Sequence, residues 1–337
     1  MFSFSFFSNL KCLKRWYVVG LLFALLVSFA VKPLKWFEHR PVSIAANVWL
    51  GYEPMFLARS EGWLDSQQVH ILETASATQS IQALMAGKVD AAALTLDETL
   101  KVCEMGLPVT IVMVFNISAG ADKLLAIPEI VDLASLKGKR LGYEPSSAGE
   151  VMLAEVLNRA QLGRQDLKLH AIPVNQHHEA WHEKKVDAII TYEPTATHLL
   201  ADGAHSIFDT TQIPNLIIDV LAVRTDRLNH YYAKSIKHLI AAHFKALRHL
   251  QHNPNDAAYR MAAHLQLNHS EVLAAYRGLV LPDLLLNHRL MAKAPVELLV
   301  SAEHLADIML NYQLLQKTQD LSALIDASYL PTKDIFR

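Results

Sequence analysis

Three stretches place an aromatic ring beside a carboxylate and a helix-starting proline: Tyr52-Glu53-Pro54, Tyr143-Glu144-Pro145 and Tyr192-Glu193-Pro194. Each follows an apolar, strand-like run and precedes a helix-like one, so the same pair of side chains recurs at three strand-to-helix turns. In open α/β sheets such turns converge at the carboxyl ends of the strands, where small ligands sit. A ring face with a nearby acid suits an ammonium or amidinium group, through cation-π attraction and charge-assisted hydrogen bonds. A plainer reading stands beside this one: proline is at home in the first turn of a helix, and an acid there complements the helix dipole. A further ring, a hydroxyl and three acids at turn positions extend the set to Trp49, Thr95, Asp97, Asp122 and Asp219. Glu53, Asp97 and Glu144 also suit helix caps, and Asp219 could pair with Arg224 or a backbone amide. Asp90 and Asp187 open their strands, at the far end of the sheet, and read as structural.

A second pattern points to different chemistry. His178-Glu179-Ala180-Trp181-His182 matches the His-Glu-x-x-His arrangement, in which two imidazoles one helical turn apart bind zinc and the glutamate serves as general base. Alone it would describe an exported zinc hydrolase. The segment is barely two turns long, bounded by Pro173 and by Glu183-Lys184-Lys185, and the chain holds 17 histidines. A solvent-facing, histidine-rich helix with no metal is therefore expected. The sequence contains no phosphate loop, dinucleotide fingerprint or nucleophile elbow, and no cofactor is expected.

The elements that must position these residues alternate in βα fashion from Pro41. Strands are expected at 42–48, 69–72, 90–94 and 109–115, with helices at 55–61, 80–86 and 97–105. A second series follows, with strands at 140–142, 167–172, 188–190 and 206–208, and helices from Ser146, at 177–183 and from Pro194. Val89-Asp90-Ala91 and Val186-Asp187-Ala188 enter equivalent strands about a hundred positions apart, which suggests two similarly wound lobes. A strand over 217–223 leads back to the first lobe. Beyond it the apolar residues keep helical spacing, with Asn253 as cap and Pro254 at the first position of a new helix. The expected organisation is a leader over 1–40, one lobe from 41–122 and 220–337, and a second lobe from 123–219.

The 31 Lys+Arg against 33 Asp+Glu in 337 residues give a formal net charge of −2 with no basic block, which excludes a phosphate-backbone binder. Lys11, Lys14 and Arg15 precede an apolar run from Trp16 to Val31, so the body is expected outside the cytoplasm. Ser28-Phe29-Ala30 allows cleavage, whereas Lys32, Lys35 and Arg40 beyond the run suit an uncleaved anchor. The only other cysteine besides Cys12 is Cys103, so the body can form no internal disulfide.

Together, Trp49-Leu50-Gly51-Tyr52-Glu53-Pro54 with Glu61-Gly62-Trp63, Gln82-Ala83-Leu84-x-Ala86-Gly87-Lys88-Val89-Asp90-Ala91, Gly120-Ala121-Asp122, Leu136-Lys137-Gly138-Lys139-Arg140-Leu141-Gly142 and Val186-Asp187-Ala188 with Glu193-Pro194 carry a resemblance. They resemble, in order, the substrate-binding proteins of ABC importers in the nitrate/taurine/sulfonate class, which has relatives that bind thiamine pyrimidine precursors. The resemblance implies a two-lobed type II periplasmic-binding-protein fold, α/β with a helical C-terminal region, that closes on a small molecule in the periplasm. It implies an ABC permease as partner, or else a membrane sensor that reads closure, and a monomer is expected. The same fold serves a fungal pyrimidine synthase whose cysteine cluster has no counterpart here. The cleft set expected from residues and resemblance together is Trp49, Tyr52, Thr95, Asp97, Asp122, Glu144, Ser146, Tyr192, Glu193 and Asp219. Because acids dominate it, the expected ligand is cationic or amine-bearing, an aminopyrimidine for instance, rather than an anion.

Overall fold

The apolar run after Pro41 forms β1 (Val42–Asn47), which lies second from one edge of a six-stranded sheet and leads the chain straight to the first Tyr-Glu-Pro turn. The structure is a computed structural model that describes residues 39–332. The export segment, apart from His39 and Arg40, and Cys12 lie outside the described residues. Among those residues no helix is long and apolar enough to cross a membrane.

From β1 the chain passes through α1 (Glu53–Ser60), β2 (Val69–Thr74), α2 (Ala77–Met85), β3 (Ala91–Thr95), α3 (Leu96–Glu104) and β4 (Val109–Ser118). It then enters a five-stranded sheet made of β5 (Asp122–Ala126), β6 (Arg140–Tyr143), β7 (Lys168–Ala171), β8 (Ala188–Tyr192) and β9 (His205–Asp209). Between these strands run α4 (Ser147–Ala160), α5 (His177–His182) and α6 (Thr195–Ala201). β10 (Ile218–Arg224) returns to the first sheet, between β3 and β4. The remainder is α7 (Ala233–His252), α8 (Pro254–Leu265), α9 (His269–Ala275), β11 (Leu279–Val280), α10 (Leu284–Ala292) and α11 (Glu297–Asn311).

The two sheets share one plan, with orders β11-β4-β10-β3-β1-β2 and β9-β5-β8-β6-β7. In each, the strand second from one edge pairs in parallel with both neighbours, and an antiparallel strand follows on the inner side. The two strand-opening aspartates confirm the correspondence. Asp90 accepts from Ser43 N at 3.0 Å and Asp187 from Arg140 N at 2.9 Å, each across 47 positions. Both are structural, as their place at the strand entrance implies.

Local sequence sets the helix starts. Ser76 accepts from Gln79 N at 3.4 Å, Ser146 from Gly149 N at 3.2 Å, and Asp283 from Leu286 N at 2.7 Å, each satisfying a first-turn amide. Pro54 and Pro254 occupy first-turn positions. Asn253 stands at the helix boundary, but its side chain makes no capping bond. α7 buries Ile236, Leu239, Ile240, Leu247 and Leu250 on one stripe, as their spacing predicts. α10, which the sequence did not announce, is held to β4 by Asn287, whose Oδ1 accepts from Val114 N at 2.8 Å while its Nδ2 donates to Val114 O at 3.1 Å. β5 was likewise unforeseen, since Gly120-Ala121-Asp122-Lys123 reads as loop. Cys103 is half-buried.

Candidate functional site

The carboxyl ends of β1, β3, β6 and β8 face one another across the junction of the two sheets around a narrow cleft with a free interior of about 40 Å³. Trp49, Tyr52, Thr95 and Asp219 line it from the first lobe, and Asp122, Glu144, Ser146 and Tyr192 from the second; Asp122 and Asp219 each stand just across the expected lobe boundary, because β5 belongs to the second sheet and β10 to the first. Eight of the ten residues expected from the sequence therefore meet in space. Asp97 and Glu193 are buried but do not line the cleft.

The Tyr-Glu-Pro copies do not act alike. In the first, Tyr52 faces the cleft while Glu53 turns outward to His264, whose Nδ1 lies 2.8 Å from Glu53 Oε2. In the second, Glu144 faces inward and the Tyr143 hydroxyl donates to Glu150 Oε1 at 3.0 Å. In the third, Tyr192 faces inward, whereas Glu193 accepts from Lys123 Nζ at 3.0 Å and from Thr197 N at 2.9 Å. Neighbouring side chains leave the backbone in different directions, so each turn delivers one member of its pair. Two turns supply rings and one supplies an acid.

Strand pairing fixes the other acids. Asp219 on β10 lies opposite Thr95, and Asp122 on β5 lies opposite Tyr192, so the repeated plan sets one aspartate on each side of the cleft. Asp219 accepts hydrogen bonds from the Tyr52 hydroxyl and from Asn116 Nδ2, the latter at 2.8 Å, rather than pairing with Arg224. Asn116 Oδ1 in turn accepts from Trp49 Nε1 at 3.0 Å. Gly51 lets this network close: a Cβ there would stand 1.5 Å from Asn116 Oδ1. The Trp49 and Tyr192 rings meet edge to face, with centroids 5.3 Å apart, so the two lobes touch through the site itself. Asn47 Nδ2 adds a long contact of 3.4 Å to the Tyr192 hydroxyl, which donates to Glu144 Oε2 at 2.9 Å.

Glu98 completes the set; the sequence reading named its neighbour Asp97 instead. It is the third residue of α3 and lines the cleft, its Oε2 accepting from Thr95 N at 3.0 Å. Asn47, Met152 and Thr191 also line the cleft, as an amide, a thioether and a hydroxyl without a motif to announce them.

The electrostatics are one-sided. Four carboxyl groups, Glu98, Asp122, Glu144 and Asp219, line the cleft, and among the described residues no lysine, arginine or histidine does. Burial pushes Asp122 up to about 6, opposed by Ser118 and Lys123. Burial and then Glu98 push Glu144 up to about 7. Asp219 stands well above the usual carboxylate range, again chiefly through burial, and burial also raises Glu98. Glu98 Oε1, Asp122 Oδ2 and Glu144 Oε1 are buried acceptors without a hydrogen-bond partner. Buried polar atoms are normally paired, so three unpaired oxygens at one cleft stand out.

His178 and His182 lie elsewhere, on the exposed face of α5 in the second lobe, and neither lines the cleft.

Two lobes of matched topology, joined by crossing strands and closing on a lined cleft, define a periplasmic-binding-protein-like fold. The chain belongs to the NMT1/THI5-like family, whose model matches residues 50–257. Among solved structures it is similar to the alkanesulfonate-binding protein SsuA from Xanthomonas axonopodis pv. citri bound to MOPS, at 16% identity and TM-score 0.72, covering 86% of this chain and 99% of that one. It is also similar to the periplasmic aliphatic sulphonate binding protein SsuA from Escherichia coli, at 18% identity and TM-score 0.67, covering 85% and 97%. The periplasmic nitrate-binding protein NrtA from Synechocystis PCC 6803 matches at 11% identity and TM-score 0.68, covering 87% of each chain. No match was found among curated proteins.

Proposed function

We propose that this chain is an extracytoplasmic solute-binding protein that captures a small nitrogen-bearing cation, of the amine or aminopyrimidine kind, and delivers it to an ABC importer. The observation that carries the ligand class is the cleft lining: four carboxyl groups and three aromatic rings without a basic side chain. Two of the structural neighbours are named for binding alkanesulfonate and nitrate, which are anions. An anion here would face buried acids, at a cost of several kcal/mol unless every acid stayed protonated. A cation finds ring faces at Trp49, Tyr52 and Tyr192 and unpaired acceptors at Glu98, Asp122 and Glu144.

The mechanism is capture without chemistry. Trp49 and Asp219 on one lobe and Tyr192 and Glu144 on the other reach the guest together only when the lobes are closed, so ligand shifts the population to the closed form. That form is what a permease in the inner membrane would read. The N-terminal apolar run would export the protein or tether it beside its partner.

A thermal-shift panel of amines, aminopyrimidines, sulfonates and nitrate tests the reading. A specific ligand at a hundredfold excess over Kd stabilises the native state by about 2.7 kcal/mol. Stabilisation by the nitrogenous cations supports the proposal, and stabilisation by the anions alone overturns it.

A further inference from the structure

The histidine-rich helix, from which the sequence reading expected no metal, carries a second site. His178 and His182 stand one turn apart on α5, and Asp202 follows the last residue of α6. Their ligand atoms converge. His178 Nε2 and His182 Nε2 are 3.2 Å apart, and Asp202 Oδ2 lies 3.0 Å from the first and 3.1 Å from the second. We propose that His178, His182 and Asp202 form a surface site for a divalent transition ion of the zinc class, which ties α5 to α6 in the second lobe and is independent of the ligand cleft.

The geometry carries the proposal. Zinc binds imidazole nitrogen and carboxylate oxygen at about 2.0–2.2 Å. An ion placed at that distance from all three atoms would see them at mutual angles of roughly 95–100°, between octahedral and tetrahedral arrangements. The three atoms thus already stand near the separations of a coordinated face, and no side chain must move far to accept the ion. Without an ion, two imidazoles and one carboxylate compete for the same point, where at least one proton is needed to hold the nitrogens together.

The donor set is chemically selective. Two neutral imidazoles and one carboxylate suit zinc and its first-row neighbours, while magnesium and calcium prefer oxygen-only sites. The three side chains are 52%, 53% and 31% exposed, so the ion has an open route from solvent and at least one coordination position facing outward. His198, one turn before Asp202 on α6, has its ring centroid 6.0 Å from that of His178, but its ring nitrogens are not among the ligand atoms that converge. Glu179 sits one residue along from His178, so it does not share that histidine's face of the helix. The site is a staple rather than a hydrolytic centre.

The test is a titration of the purified protein with zinc chloride, read by competition with a chromophoric chelator, and with cobalt chloride, read by visible absorption. One equivalent of zinc, weakened at least tenfold in both His182→Ala and Asp202→Asn, supports the site, as does a cobalt spectrum lost in both variants. All three side chains are on the surface, so the variants are expected to fold, which a melting curve in chelator verifies. No saturable binding, or binding that both variants leave intact, overturns the proposal, since it would place the ion among the other histidines. Neither outcome depends on what the cleft holds.

Discussion

Replacing Glu144 by glutamine removes one titrating group from the cleft and keeps the side chain's shape, including a carbonyl oxygen for the Tyr192 hydroxyl, which donates at 2.9 Å. Burial and Glu98 lift the Glu144 carboxyl from 4.5 to about 7, which at ~1.4 kcal/mol for each tenfold in proton affinity corresponds to about 3 kcal/mol. The sign follows from linkage. A carboxyl whose folded pKa is raised favours the native state below its unfolded pKa, and that stability is lost as pH rises through the folded value. The ligand-free protein should therefore lose about 3 kcal/mol at this residue between pH 4.5 and pH 7 and above, while Glu144→Gln loses none of it. For a body of this size that is about 5 °C in Tm. Thermal unfolding followed by circular dichroism from pH 4 to pH 8 is the assay. Parent and variant should melt together near pH 4, and the variant should melt higher at pH 8. Parallel curves across the range would refute the claim that this acid is held neutral by its surroundings.

Gly51→Ala should displace Asn116 and Trp49, because its Cβ would stand 1.5 Å from Asn116 Oδ1; calorimetry should show ligand affinity falling at least tenfold with the fold retained. Asn116→Ala should cost about 1–3 kcal/mol of stability by leaving Trp49 Nε1 and one Asp219 oxygen unpaired, measurable by chemical denaturation. Glu193→Gln should leave ligand affinity nearly unchanged, since Glu193 faces Lys123 and the start of α6 rather than the cleft; a large loss in a titration would mean that the cleft is misplaced. Trp49→Ala should abolish ligand-induced stabilisation in the thermal-shift panel and should also destabilise by about 3–5 kcal/mol, because the ring is buried between the lobes.

The lobes were readable because their logic is local. Apolar runs bounded by proline and glycine gave the strands, and the recurrence of Val-Asp-Ala exposed the doubled plan that the Asp90 and Asp187 hydrogen bonds bear out. The cleft was readable as far as turns announce themselves. Which member of each Tyr-Glu pair faces inward was not, because one step of helical or strand phase reverses the answer, and the sequence motif is the same in all three copies. The same ambiguity hid Glu98 behind Asp97. Glu193 was misjudged because its partner Lys123 lies 70 positions away on β5, a strand that polar residues at its start disguised. Asn47 and Asn116 carry no pattern at all, yet Asn116 joins Trp49 to Asp219.

The most direct measurement is a calorimetric titration of the tightest ligand from pH 5 to pH 8, repeated in buffers of different ionisation enthalpy. Asp122 and Glu144, held up to about 6 and about 7, must give up their protons to meet a cation. Affinity should therefore rise with pH across that interval, and protons should be released on binding. Affinity that falls with rising pH, with proton uptake, would show that the guest is an anion and that the acids of the cleft do not select it.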